Sequence, residues 1–142
     1  MSMTKREKVV FDNLFDVTQD IEKTGNSRHA AAVIKKGAVY GLGVNSSKTD
    51  PMQRQYSDHP LKVCIHAEVA AIKRASSHLR TRDLSNCTLM VVRSKSDDDG
   101  NTLLGNSKPC DACQKAIDEH GIRKVIYSID NGYKIEKTYR SK

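Results

Sequence analysis

No apolar run in the 142-residue chain approaches the roughly 20 residues a membrane-spanning helix needs. Residues 1–15 are mixed polar and charged and lack the apolar stretch of a secretory signal. These two absences predict an intracellular, cytoplasmic protein with no membrane partner. There is no internal repeat, low-complexity tract or proline-rich linker, so residues 1–142 read as a single domain. Tryptophan is absent and only two phenylalanines are present, which leaves few platforms on which the bases of a nucleic acid could stack.

Cysteine is sparse as well. Cys64, Cys87, Cys110 and Cys113 are an even number but a poor disulfide framework, because a chain of this size buries a core without staples. In a reducing compartment a close cysteine pair is more often a metal or redox site, which singles out Cys110 and Cys113. Charge is not sparse. Lys and Arg number 24 against 17 Asp and Glu, a net +7 that favours an anionic partner such as a phosphate or a nucleic acid.

Along the chain, Val10, Leu14, Val17 and Ile21 recur at helical spacing and predict a packing helix within residues 5–24. Two apolar runs around Lys35, Lys36 and Gly37 predict a β-hairpin from residue 29 to 44. Residues 45–62 carry no periodicity and read as a long loop, of a length that is often functional. Ala67, Val69, Ala70, Ala71 and Ile72 predict a helix over 65–76, and residues 88–92 a buried strand. Residues 94–107 read as a polar loop. A second motif-bearing helix is expected over 111–120, closed by Gly121. A strand over 124–129, an Asp130-Asn131-Gly132 turn and a last strand over 133–139 complete the order. The alternation makes the chain α/β with a mixed sheet.

Two short motifs fall at the starts of two of these helices: His66-Ala67-Glu68 and Pro109-Cys110-Asp111-Ala112-Cys113. Residues three apart in a first helical turn face the same way, so the sulfurs of Cys110 and Cys113 converge. Pro109 suits the helix entrance, where its missing N–H costs nothing. Alone, a C-x-x-C is equally a redox pair or half of a structural zinc site. With His66 at another helix start at the same end of the sheet, it supplies three N/S ligands and one open position, the composition of a catalytic zinc site. Two thiolates cancel the zinc charge and weaken it as a Lewis acid, so its water benefits from a base. Glu68, two residues from His66, is placed to be that base. Cys64 and Cys87 read as small core residues. His29, His59, His78 and His120 lack ligand spacing and read as surface or satisfied histidines, with His29 able to approach a substrate from the first strand.

The pair of motifs resembles the signature of the zinc-dependent cytidine and deoxycytidylate deaminase superfamily, over roughly residues 29 to 130. That resemblance implies a three-layer α/β/α fold around a central mixed five-stranded sheet. It implies one zinc ion (Zn2+) per chain on His66, Cys110 and Cys113, with Glu68 as catalytic acid/base. The reaction implied is hydrolytic deamination of the cytosine ring of a nucleoside or nucleotide (cytidine, deoxycytidine or dCMP type) to uracil, with release of ammonia, by a zinc-bound hydroxide. Asn45 matches a residue that contacts the substrate sugar in many members, and the backbone N–H of Ala67 is expected to orient the ring. In the long loop Tyr56 is a candidate for stacking on the base, and Lys48, Arg54 and Lys62 for meeting a phosphate, against the plain reading of a solvated basic loop. The alternative within the same chemistry is a nucleic-acid editing deaminase acting on cytosine or adenine in a single strand, and a non-catalytic zinc module is disfavoured by Glu68. Members are commonly oligomeric, so a homo-oligomer is expected. The stretch from Glu68 to Pro109 is longer than many members carry, with the excess in residues 94–107.

Overall fold

A computed structural model describes residues 2–19, 28–45 and 66–137 of the chain. The first element, α1 (Lys5–Gln19), begins with a capping box. The Thr4 hydroxyl accepts a hydrogen bond from the Glu7 N–H at 3.1 Å, and the Glu7 carboxylate accepts one from the Thr4 N–H at 2.9 Å. Its most buried residues are Phe11, Leu14 and Thr18, with Val10 and Val17 flanking them, so the buried stripe is rotated by about one residue from the one the sequence pattern predicts.

The expected hairpin forms from β1 (Arg28–Lys35) and β2 (Ala38–Val44), which pair antiparallel. Lys36 and Gly37 both adopt positive φ (52° and 78°), the geometry of a two-residue hairpin turn. Next come α2 (Ala67–Leu79), β3 (Thr88–Ser96), β4 (Thr102–Gly105), α3 (Asp111–Glu119), β5 (Lys124–Ile129) and β6 (Gly132–Lys137). The β5–β6 turn forms at Asp130 and Asn131, with Asn131 at φ 64°.

The sheet runs β2-β1-β3-β5-β6, the five-stranded mixed path that was expected, with β3 and β5 parallel and the other neighbours antiparallel. A sixth strand corrects the expectation for residues 94–107, which are not a plain polar loop. β3 continues to Ser96 and pairs there with β4, Arg93 opposite Gly105 and Ser96 opposite Thr102. Asp97 closes the hairpin tip by accepting hydrogen bonds from the N–H groups of Asp99 and Asn101 at 3.0 and 2.8 Å. The apolar run ends at Val92 because only the first part of β3 is covered on both faces. Beyond it the ladder is held by backbone bonds that polar side chains do not signal.

Alternate residues of the central strands feed two cores, as a sheet with both faces covered requires. Ala31, Val33, Leu89, Val91, Val125 and Tyr127 face α2 and α3. Ala30, Ala32, Ile34, Met90, Val92 and Ile126 face α1. These are the three layers. No described helix is long and apolar enough to cross a membrane.

Candidate active site

Helix α2 lies directly on the backbone of β2. A Cβ on Gly43 would clash with the Ala67 carbonyl and come within 2.6 Å of the Ala71 N. One on Gly41 would clash with the Ala71 carbonyl and come within 2.7 Å of the Ala75 N. Two side-chain-free positions on one face of the strand therefore set how close the helix sits, and with it where His66, the residue capping its N-terminus, is held.

Helix α3 is placed by a different device. Where β3 leaves β5 to pair with β4, Ser107 and Ser128 fill the fork. The Ser107 hydroxyl lies 3.0 Å from the Val91 carbonyl and 3.1 Å from that of Ser128. The Ser128 hydroxyl lies 2.7 Å from the Gly105 carbonyl and 2.9 Å from the Ser107 hydroxyl, and accepts from the Arg93 N–H at 2.9 Å. Both serines are buried. This clasp fixes the segment that leads to Pro109 and to Cys110, the residue capping α3. Sequence reasoning passed over both serines; the only signal is a Ser inside the apolar run of β5, a small polar residue where a hydrophobic one belongs.

At the two helix starts His66, Cys110 and Cys113 come together, with their ligand atoms within 4.8 Å of one another. His66 Nδ1 lies 3.2 Å from Cys113 Sγ and 3.5 Å from Cys110 Sγ. A tetrahedral zinc bound at about 2.0 Å to nitrogen and about 2.3 Å to sulfur requires its ligand atoms about 3.5–3.8 Å apart. One imidazole and two thiols at this spacing fit the ion, and His66, Cys110 and Cys113 are positioned to bind one zinc.

The electrostatics agree. Hydrogen bonds from Cys113 and His66 push the Cys110 thiol down to about 3, so it is a thiolate. Cys113 is shifted the other way, because it donates to that thiolate and is buried. The Cys110 hydrogen bond raises His66. The N-terminus of α3 adds to the stabilisation of thiolate. Glu68 lies in the first turn of α2, buried (5% exposed) against Cys113, and burial raises its carboxyl above the usual range. A carboxyl so placed holds a proton more readily than an exposed one.

Ala67 is fully buried in the core, and as the first residue of α2 its N–H is one of the helix-start donors without an intrahelical partner. Asn45 sits at the exit of β2 and locks it to β1: its Oδ1 accepts from the His29 N–H at 2.9 Å and its N–H donates to the His29 carbonyl at 3.2 Å. His29 is drawn into the site more than its spacing suggested. Burial, with Arg93 and His66 nearby, pushes its imidazole down to about 4, so it is neutral. Tyr56, Lys48, Arg54, Lys62, Cys64 and His59 lie outside the described residues. His78 packs edge-on to Tyr40 and His120 lies 2.8 Å from the Ala116 carbonyl, both away from the triad.

Residues 4–129 match the family model described as the cytidine and deoxycytidylate deaminase zinc-binding region. No curated protein matches the chain. Among solved structures, a cytidine deaminase from Burkholderia pseudomallei is similar with a TM-score of 0.63 at 18% identity, over 95% of this chain and 93% of that one. A dCMP deaminase from the cyanophage S-TIM5 follows with a TM-score of 0.58 at 19% identity, over 88% and 84%. A structure from a study of A-to-I editing by tRNA:A34 deaminases has a TM-score of 0.50 at 19% identity, over 84% and 70%. These likenesses establish the deaminase fold. With the motif match over most of the chain and a zinc triad assembled from two helix starts, the chain belongs to the cytidine and deoxycytidylate deaminase zinc-binding family.

Proposed function

We propose that the chain is a zinc-dependent hydrolytic deaminase that converts the cytosine ring of a nucleoside or nucleotide to uracil and releases ammonia. The observation that carries this reading is Glu68, a buried carboxyl in the helical turn that follows His66, lying against Cys113. A purely structural metal site has no use for an ionisable group there. Held by His66, Cys110 and Cys113, zinc supplies the Lewis acidity that makes water a nucleophile near neutral pH.

The remaining work falls to Glu68. It takes a proton from the attacking water and passes it to the ring nitrogen beside C4. It then takes the proton of the new C4 hydroxyl and delivers it to the exocyclic amine, so that the C4–N bond breaks as the C4 carbonyl forms. Water adds, ammonia leaves, and Glu68 returns to its starting state. The N–H of Ala67 at the start of α2 and the Asn45 side chain are the groups we assign to orienting ring and sugar. In this reading residues 1–142 act as one deaminase domain, and Tyr56 is the residue we assign to stacking on the base.

The net charge of +7 supports a second reading, deamination of cytosine or adenine within a single-stranded nucleic acid. A panel of cytidine, deoxycytidine, their monophosphates and short single-stranded oligonucleotides, assayed for ammonia release and product identity, decides between them. The first reading expects a monomeric substrate to be converted fastest. Conversion confined to oligonucleotides, with binding that falls steeply as salt is added, overturns it in favour of the second. The mass of the zinc-loaded protein in solution tests the proposed homo-oligomer.

A further inference from the structure

At the end of the sheet beneath the two helix starts lie side chains that the zinc triad does not use. His29 on β1 and Arg93 on β3 are directly opposite in register. Counting alternate residues back to Ala31 and Val91, both stand on the face that α2 and α3 cover. The stem of Arg93 lies over Gly105, where a Cβ would come within 3.1 Å of its Cδ and 3.3 Å of its Nε. Its Nη1 donates to the Asn106 carbonyl at 3.4 Å, in the segment that leads into Cys110. Arg93 therefore sits on the floor between the β1 end and the α3 start.

Its bonding is incomplete. Nε is buried with no hydrogen-bond partner, and among the described residues no carboxylate pairs with the guanidinium. The facing His29 brings no negative charge. A permanently charged guanidinium with five donors, one long hydrogen bond and no counter-charge among the described residues is electrostatically unsatisfied by them. The residue as a whole is only half-buried, so its outer edge is open to a ligand. A planar fork of this kind matches the oxygens of a phosphate, and its charge favours a phosphate over a neutral carbonyl.

We propose that Arg93 is the specificity residue of this site, holding the 5′-phosphate of a pyrimidine mononucleotide so that the monophosphate is preferred over the nucleoside. The assignment deepens the deaminase reading and rests on it for the reaction, while phosphate binding is measurable without turnover.

The test compares the zinc-loaded protein with Arg93→Gln and Arg93→Lys, using dCMP, deoxycytidine and a short oligo-dC as substrates. Calorimetric binding of dUMP and deoxyuridine is measured alongside. Wild type is expected to favour dCMP in kcat/KM. In Arg93→Gln the ratio of kcat/KM for dCMP to that for deoxycytidine should fall about tenfold to a hundredfold, mostly through KM. Arg93→Lys, which keeps the charge and loses the fork, should recover part of the ratio, and dUMP binding should follow the same order. Equal losses on both substrates would reduce Arg93 to a positioning residue for the α3 lead-in and overturn the proposal. So would an unchanged ratio in both variants, or an effect confined to oligo-dC. A wild type that converts deoxycytidine as well as dCMP sinks Arg93 and leaves the deaminase reading standing. A wild type that releases no ammonia but binds dUMP through Arg93 does the reverse.

Discussion

Cys110→Ala or Cys113→Ala removes a sulfur from the triad, and each variant is expected to lose the single zinc that wild type carries. Metal analysis of the purified proteins checks it, and full zinc content in a double variant would end the ligand assignment. Glu68→Gln separates ligand from acid/base: zinc content should stay near one per chain while ammonia release drops about 10²–10⁴-fold, the range that proton transfer by a positioned group supplies. Loss of zinc in Glu68→Gln would instead make Glu68 a ligand. Away from the site, Glu7 bonds Lys124 at 2.9 Å. Burial alone would raise its carboxyl, but the hydrogen bonds from Lys124 and Thr4 outweigh it and hold the carboxyl below its ordinary 4.5. A native value below the unfolded one stabilises the fold above pH 4.5 and loses that contribution as pH falls through the native value. Acid unfolding of Glu7→Gln should therefore differ less from neutral unfolding than that of wild type, as denaturant midpoints at pH 3 and pH 7 would reveal. At this scale the metal triad was legible, because ligand chemistry demands particular residue types at fixed spacing, and Glu68 is found buried in the first turn of the helix that His66 caps, where its spacing from His66 puts it. Ser107 and Ser128 were not, nor was the role proposed for Arg93: an arginine or serine in a strand, or in the stretch that follows one, carries no spacing rule, and what it does depends on which strand ends meet there.

The helices that carry the ligands were readable for the same reason their starts were, through Pro109, the alanine-rich run of α2 and the Gly121 stop. What holds them to the sheet was not. The packing of α2 on β2 rests on Gly41 and Gly43, which in sequence are simply two glycines in an apolar run. Gly43→Ala should force α2 outward and cost about 1–3 kcal/mol, the usual penalty of overpacking. Because the displaced turn carries His66, zinc affinity should fall along with the melting temperature, and a variant that loses neither would show that α2 yields without cost. On the other side Ser128→Ala leaves the Arg93 N–H and the Gly105 carbonyl without their buried partner, at about 1–3 kcal/mol. The strand β4 was missed because its four residues, Thr102 to Gly105, are too short a run to show alternation and gain their place only from the extended end of β3.

Taken whole, the molecule couples metal to stability, because each face of the zinc site belongs to a different helix and only the folded sheet brings them together. Binding to the folded state alone adds RT ln(1 + [L]/Kd), so free zinc at about a hundred times Kd contributes about 2.7 kcal/mol. Removing zinc with a chelator should lower the melting temperature, and the double cysteine variant should be insensitive to the same treatment. The two cores and the three-layer order follow from strict alternation along β1, β3 and β5, a pattern that survives any change at the rim. The β3–β4 hairpin is such a rim. Its tip at Asp97 to Asn101 is tied by its own hydrogen bonds and points away from both cores, while the serine clasp anchors its base. The hairpin is consequently a graft point: a peptide or a small folded module spliced in at Gly100, which has open space around it, would ride on the protein as a cantilever. The strain of that cargo would end at the clasp, and the metal centre behind it would not register the load.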